Sequence, residues 1–307
     1  MKIRIASRGS ELALWQTNHI KNLLQQNGHE VEIIVMKTKG DVILDTPLAK
    51  IGGKGLFTKE LENAMLENRA DIAVHSLKDV PTKFEAGLKL AAVCSRADTN
   101  DTMLSMKYAK FSDLPQNAKV GTTSLRRQMQ LLMKRPDLNL ISLRGNVNSR
   151  INKLKNGEFD AIILAQAGID RLGLDKLVNF TDPLDTICAM GQGALGIEAR
   201  SDDEAILKAI DFLNDEKSVI ETRVERDFVD TLNGGCQAPI GIRAELKGDK
   251  IEVSGILGLP DGSEFLKESK IYKKSDYQNA GREFAKIFLN QNAADLLSRA
   301  EIMANSH

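Results

Sequence analysis

The stretch Asp71-Ile-Ala-Val-His-Ser-Leu-Lys-Asp-Val-Pro81 places a base, a hydroxyl, an ammonium and a carboxylate within five residues: His75, Ser76, Lys78 and Asp79. Those groups suit proton transfer or the binding of an anion. They follow a short apolar run, Ile72 to Val74, that reads as a buried strand. Val80-Pro81 closes the stretch, and the proline biases the residue before it towards extended backbone. Open α/β sheets place ligands at such strand ends. A solvated Lys-Asp pair at a polar strand exit would give the same residues. The two readings separate on whether other cationic junctions face the same cleft.

Three further junctions have the right composition. They are Ser7-Arg8-Gly9-Ser10, Gly121-Thr-Thr-Ser-Leu-Arg-Arg127 and Leu143-Arg144-Gly145-Asn146. Each puts small or hydroxyl residues and at least one arginine at a helix start. Free backbone N–H groups and the helix dipole favour anions there, and guanidinium adds a planar fork matched to carboxylate or phosphate. Arg150 follows Arg144 by a turn or so of helix, and Arg171 sits at the helix end Asp170-Arg-Leu-Gly173. Capping with solvated arginines explains any one junction. Three in one chain point to a site for an anionic ligand.

A fourth element is Leu232-Asn-Gly-Gly-Cys-Gln-Ala-Pro-Ile-Gly241. Its glycines put Cys236 on a permissive loop where backbone can approach a ligand closely. A lone cysteine is also a common small buried hydrophobe, and both readings stay open from the residues alone. Cys94 and Cys188 lie beside strand-like apolar residues and read as core. Three scattered cysteines make no disulfide framework, and His19, His29, His75 and His307 show no metal-ligand spacing.

The elements that must position these groups alternate. Strands are expected at 2–6, 31–36, 72–74, 88–93, 102–105, 119–121, 138–143, 161–164 and 195–197. Helices are expected at 10–27, 57–67, 124–134, 147–155, 203–213 and 218–232. This alternation predicts mostly parallel sheets with helices on their faces. Glycines and lysines crowd residues 38–55, which read as a mobile loop of the kind that forms a lid. From Ile240 the pattern changes to three antiparallel strands, 240–246, 250–257 and 265–272, followed by helices at 275–290 and 293–304. That is a small α+β domain.

A chain of 307 residues with 42 basic and 42 acidic side chains has room for two or three domains and no global field for nucleic acid. No apolar run reaches the length of a membrane span. The N-terminus lacks the apolar core of a signal peptide, and the cysteine usage fits a reducing cytoplasm.

Together the motifs resemble the porphobilinogen deaminase (hydroxymethylbilane synthase) family. The matching stretches are Arg8-Gly-Ser10 with Leu12-Ala-Leu-Trp-Gln16, Gly40-Asp-Val-Ile-Leu-Asp45, Gly52-Gly-Lys-Gly-Leu-Phe57, His75 to Pro81 and Gly121 to Arg127. Arg144-Gly-Asn-Val147 with Arg150, Gly191-Gln-Gly193 and Gly234 to Gly241 complete them, in family order over nearly the whole chain. Gly9 and Ser149 depart from the family's usual longer polar residue and threonine.

The resemblance implies an α/β fold of two periplasmic-binding-protein-like (type II) domains plus a small C-terminal α+β domain. Domain 1 would take residues 1–98 with 194–215, domain 2 the insertion 99–193, and domain 3 residues 216–307. It implies stepwise deamination and head-to-tail condensation of four porphobilinogen molecules, with water releasing hydroxymethylbilane for haem biosynthesis. A dipyrromethane cofactor would be held by a thioether to Cys236. Asp79 would be the catalytic carboxylate. The cofactor would be bound by Lys78, Asp79, Ser10, Thr123, Ser124, Arg126, Arg127, Arg144 and Gln192. The substrate would be bound by Arg8, Gln16, Arg144, Arg150, Arg171, Lys54 and Phe57. The family implies a cytoplasmic monomer with no metal, nucleic acid or membrane partner.

Two other functions use some of the same features. A solute-binding protein would share the fold, but it usually needs export and has no use for a loaded cysteine. A nucleic-acid binder could use Arg126-Arg127 and Lys134-Arg135, but zero net charge and 5% aromatics weigh against it.

Overall fold

Side chains alternate between two covered faces in the first lobe. On β1 (Lys2–Arg8) Ile3 and Ile5 pack with Ile20 and Leu24 of α1 (Glu11–Gln26). Ala6, on the opposite face, meets Leu61 and Met65 of α2 (Lys59–Leu66). Each such aliphatic side chain contributes about 1.5–3 kcal/mol when fully buried. β2 (Glu30–Met36), β3 (Ile72–Ser76) and β4 (Leu88–Val93) complete the local strands. The computed structural model describes residues 1–38, 58–235 and 238–305. Most of the expected lid loop 38–55 lies outside them, as do Lys54, Phe57 and Cys236.

After Val93 the chain crosses to a second lobe. It runs through β5 (Asp101–Ser105), β6 (Lys119–Gly121), α3 (Leu125–Lys134), β7 (Asn139–Ile141), α4 (Val147–Lys155), β8 (Ala161–Ala165), α5 (Gln166–Leu172) and β9 (Phe180–Leu184). This sheet is also covered on both sides. Met103 and Ile163 pack with Leu131 of α3, and Leu104 and Ile162 pack with Ile151 and Leu154 of α4. The chain then returns to the first sheet as β10 (Leu195–Arg200).

The strand orders are β2-β1-β3-β10-β4 and β7-β6-β8-β5-β9. The expected mostly parallel pairing needs correction. β1–β2, β1–β3, β6–β7 and β6–β8 are parallel, whereas β10 runs antiparallel to β3 and β4, and β5 antiparallel to β8 and β9. The reason is the crossover: each lobe receives the strand that adjoins the other lobe, and that strand enters from the opposite end. β9 was not expected, because Pro183 weakens its strand pattern. It pairs only with β5, at an edge where a proline is tolerated.

The two crossovers run side by side. Ala97 N–H donates to the Gly193 carbonyl at 3.2 Å, and Cys94 N–H to that of Leu195 at 3.0 Å. Gly193 has φ +89°, and a Cβ there would lie 2.5 Å from the Ala97 carbonyl oxygen, so only glycine lets the strands approach.

α6 (Glu204–Ile210) and α7 (Glu216–Thr231) follow, then β11 (Ile240–Lys247), β12 (Lys250–Gly258) and β13 (Phe265–Lys273) in an antiparallel sheet. α8 (Tyr277–Leu289) and α9 (Ala293–Asn305) end the described chain. Phe228, Phe284 and Phe288 form the centre of this third core. This unit is fastened to the crossovers. Glu225 accepts two bonds of 2.9 Å from Arg96, Arg243 donates to Thr99 and Asn100, and Ile242 N–H donates to the Cys188 carbonyl.

Candidate active site

Strand β3 delivers the first group of residues. His75 and Ser76 belong to the strand itself, not to a loop after it, and Leu77–Asp79 form one turn of 3-10 helix. Successive strand residues point oppositely, so the two are separated. His75 is buried, with Nε2 3.0 Å from Glu198 Oε2 on β10, and takes no part in the cleft. Ser76 faces a cavity of about 830 Å³ between the two lobes. Lys78 and the exposed Asp79 line the same cavity.

The junctions converge on it. Ser10 caps α1, accepting from Ala13 N–H, and Asn146 caps α4, accepting from Ser149 N–H at 2.9 Å. Both caps and both neighbouring arginines, Arg8 and Arg144, line the cavity, one pair from each lobe. Asn148 of α4 donates to Glu11 of α1, joining the lobes at that point. Arg150 projects from α4 and donates to the Gly145 carbonyl at 2.9 Å. Arg171 projects from α5 and donates to that of Gly193 at 2.8 Å. Thr123 and Arg127, from the β6–α3 junction, complete the expected lining residues.

Four expected residues lie behind this wall. Gln16 is buried and donates to Ser76 Oγ at 2.8 Å, so it orients a lining hydroxyl. Ser124 accepts from Arg127 N–H as the cap of α3. Arg126 is only 4% exposed. It donates to Asp101 at 2.6 and 3.2 Å and to the Ile187 carbonyl at 2.8 Å. Gln192 is buried and donates to Asp101 at 3.0 Å and to the Thr99 carbonyl at 2.7 Å.

Asp101 is the functional residue that sequence reasoning missed. It is fully buried at the start of β5 and also accepts from Arg127, Nε at 2.9 Å and Nη2 at 2.8 Å, and from Thr186. Burial alone would raise its pKa; Arg126 and then Arg127 more than reverse this, and the carboxyl sits far below its usual range. A signal existed. Two adjacent arginines on a helix packed into an α/β lobe need a buried counter-ion.

The lining cations differ. Arg144, Arg150 and Arg171 form no ion pair with a carboxylate among the described residues. Burial, then repulsion from Arg127, holds Arg150 down to about 10, with Asp79 pulling the other way. Burial holds Lys78 down to about 8, again against Asp79 and with Arg127 and Arg126 adding to the fall. Burial also lowers Arg171. Cations desolvated in one bowl gain from an incoming polyanion. Two acids line the cavity; Glu11 accepts from Asn148, and Asp79, beside Lys78, is the one placed to meet developing positive charge or to move a proton. Among the described residues no cluster of His, Cys, Asp and Glu could hold a metal ion, and no helix is long and apolar enough to cross a membrane. Cys94 and Cys188 are buried, as expected of core residues, and burial pushes the Cys94 thiol up to about 12.

Two family models match the chain. "Porphobilinogen deaminase, dipyromethane cofactor binding domain" covers residues 3–208, and "Porphobilinogen deaminase, C-terminal domain" covers 219–290. The chain is 72% identical over 303 residues to a porphobilinogen deaminase of Campylobacter fetus subsp. fetus, spanning 99% of this chain and all of that protein. It is 58% identical over 307 residues to that of Campylobacter hominis, spanning 99% of each. Solved structures that align with it include the methionine binding protein MetQ (12% identity, TM-score 0.46, 73% of this chain and 94% of that one). Another is the periplasmic VFT2 domain of Bordetella pertussis BvgS (13% identity, TM-score 0.43, 71% and 90%).

Proposed function

Because this chain belongs to the porphobilinogen deaminase family, we propose that it is a transferase that builds hydroxymethylbilane from porphobilinogen on a dipyrromethane primer. The observation that carries this reading is the inter-lobe bowl, which Lys78, Arg127, Arg144, Arg150 and Arg171 line together with Asp79. Each pyrrole of the substrate bears an acetate and a propionate, so a lengthening chain is a polyanion. The donors present fit such a ligand: guanidinium forks and an ammonium for carboxylates, with one carboxylate for the ring.

Residues 1–98 with 194–215, 99–193 and 216–307 are taken as its three domains, the last carrying Cys236. Held by a thioether to Cys236, dipyrromethane would supply the electron-rich ring carbon that takes the first unit, and each later unit would join the ring added before it. The protein's own groups do the rest. Lys78, Arg127 and Arg144 hold carboxylates of the primer. Arg126 and Gln192 act from behind, through Asp101. Arg8, Arg150 and Arg171 hold those of incoming and added units. Loss of ammonia from porphobilinogen leaves an electron-poor azafulvene. Asp79 stabilises the positive charge on that ring and moves its protons. The enzyme is read as a cytoplasmic monomer. Both basic pairs considered for nucleic acid are engaged internally, Arg126 and Arg127 by Asp101, Lys134 by Asp185 and Arg135 by Asp137.

Intact mass tests the reading. The wild-type chain should exceed its sequence mass by two linked pyrroles, and Cys236→Ser should lose that excess. In protein shown by mass to be loaded, Asp79→Asn should abolish most turnover by lowering kcat more than it raises KM, while Asp79→Glu retains some. An unmodified, fully active wild type, or loaded Asp79→Asn working near the wild-type rate, contradicts it.

A further inference from the structure

The bowl has a neighbour that the reaction, as described so far, does not use. A second cavity of about 530 Å³ lies between α1, the outgoing crossover, α5 and the turn after α6. It shares Ala167 and Arg171 with the first cavity, so one arginine lines both. Trp15, the chain's single tryptophan, stacks on His19 with ring centroids 5.4 Å apart and 9° between planes. The Arg171 guanidinium lies 5.7 Å from the Trp15 ring centroid. Buried Cys94, Leu195 and Leu213 contribute apolar surface.

Its chemistry is specific. Trp15 and Phe212 are 38% and 44% exposed, so two aromatic side chains bordering this space remain partly open to solvent. The two acids bordering it accept hydrogen bonds, Asp170 from Gln166 and Asp215 from Ser218, and Asp170 also acts on Arg171 through its charge. Arg171 donates one bond, to Gly193, and forms no ion pair among the described residues. Aromatic faces beside an unpaired guanidinium suit a flat, electron-rich ring that carries a carboxylate. The first cavity is of a size that serves one drug-sized ligand, whereas the proposed reaction ends with a tetrapyrrole added to a dipyrromethane.

We infer that the second cavity is a subsite for a carboxylate-bearing pyrrole, with Arg171 holding the carboxylate and the Trp15–His19 stack the ring. The inference rests on the proposed function. Two sources supply that chemistry, the far end of the lengthening chain and the incoming monomer.

Ser95 is exposed and lines the second cavity but not the first, so Ser95→Tyr narrows it at a residue outside the bowl; Phe212→Ala removes one aromatic wall. The measurement is the ladder of enzyme-bound intermediates, read by intact mass after a limiting pulse of porphobilinogen. If the chain's far end occupies the subsite, later intermediates accumulate in both variants by about two- to tenfold, the worth of one aromatic stack. If the monomer does, the first addition slows with raised KM and the ladder keeps its shape. A second readout needs no loaded enzyme: in Cys236→Ser protein, pyrrole-2-carboxylate should quench Trp15 fluorescence, and Ser95→Tyr should weaken the quenching. Variants whose ladder, KM and quenching all match their parents overturn the subsite. A wild type that forms no ladder overturns the proposed function instead, and the quenching arm still decides the cavity.

Discussion

Two walls of the same cleft use arginine in opposite ways. Behind β5, Arg126 and Arg127 converge on Asp101, and Gln192 and Thr186 satisfy the rest of that carboxylate. On α4 and α5, Arg150 and Arg171 are largely desolvated, yet their hydrogen bonds go to backbone carbonyls and neither forms an ion pair among the described residues. The first wall is a braced frame, in which one buried carboxylate holds two guanidinium groups in place. The second holds cations at a cost in folding free energy, because Asp79 and Asp170 offset their burial only in part. A site that must accept carboxylates needs both: fixed geometry from the first and incompletely compensated charge from the second.

The largest effect should come from breaking the frame. Asp101→Asn leaves two buried guanidinium groups without a counter-ion and should destabilise the chain by about 3–5 kcal/mol, read as a lower denaturant midpoint at unchanged slope. The same measurement on Arg150→Leu and Arg171→Leu should show little loss or a gain. If all three variants lose equal stability, the two walls do not differ in kind.

The next effect is functional. Arg150→Leu and Arg171→Leu should keep the covalent adduct but lower kcat/KM by roughly ten- to hundredfold, the range for a hydrogen bond to a charged group. Arg126→Leu, Arg127→Leu and Arg144→Leu should instead reduce adduct mass. Equal loss of adduct in both sets would erase the division.

The smallest effect sharpens the comparison through pH. Lys78 is held to about 8 by burial. Below that pH it is an ammonium that attracts carboxylates, so KM should be flat there and rise severalfold above it. Its effect on stability has the opposite sign. The unfolded chain binds this proton up to the ordinary lysine range, so Lys78 adds stability as pH rises from about 8 towards 10.5. Lys78→Arg should abolish the KM inflection. A KM profile that keeps it assigns the titration to another group.

Local chemistry was legible and long-range pairing was not. Ser10, Ser124 and Asn146 cap the helices expected to start there, and α4 spans Val147–Lys155 as read, because a cap is decided by residues three positions apart. The anionic site was legible for the same reason: Arg8, Arg127 and Arg144 lie at or beside helix starts. Asp101 was not singled out, because its partners lie 25 to 91 residues away. Gln192 was expected at the cofactor from the resemblance alone, and its side chain bonds to Thr99 and Asp101 at the crossover. The reversal of β5 and β10 followed from the path between lobes, which no local pattern encodes. Trp15 read as one apolar position of α1, and only the packing of α5 shows what it faces.

The placement of β10 between β3 and β4 has a consequence for synthesis on the ribosome. β4 pairs with β10 and with no other strand of its sheet. Val93 ends β4 and Leu195 begins β10. At the usual pace of translation the roughly one hundred residues between them take about 5–20 s to emerge. During that interval the whole second lobe is made and can close on itself, while Leu88-Lys-Leu-Ala-Ala-Val93 waits as an unpaired apolar edge. Such an edge can template aggregation. The nascent chain is therefore most exposed to misassembly, and most in need of a chaperone, after its inner lobe has folded and before its outer one can.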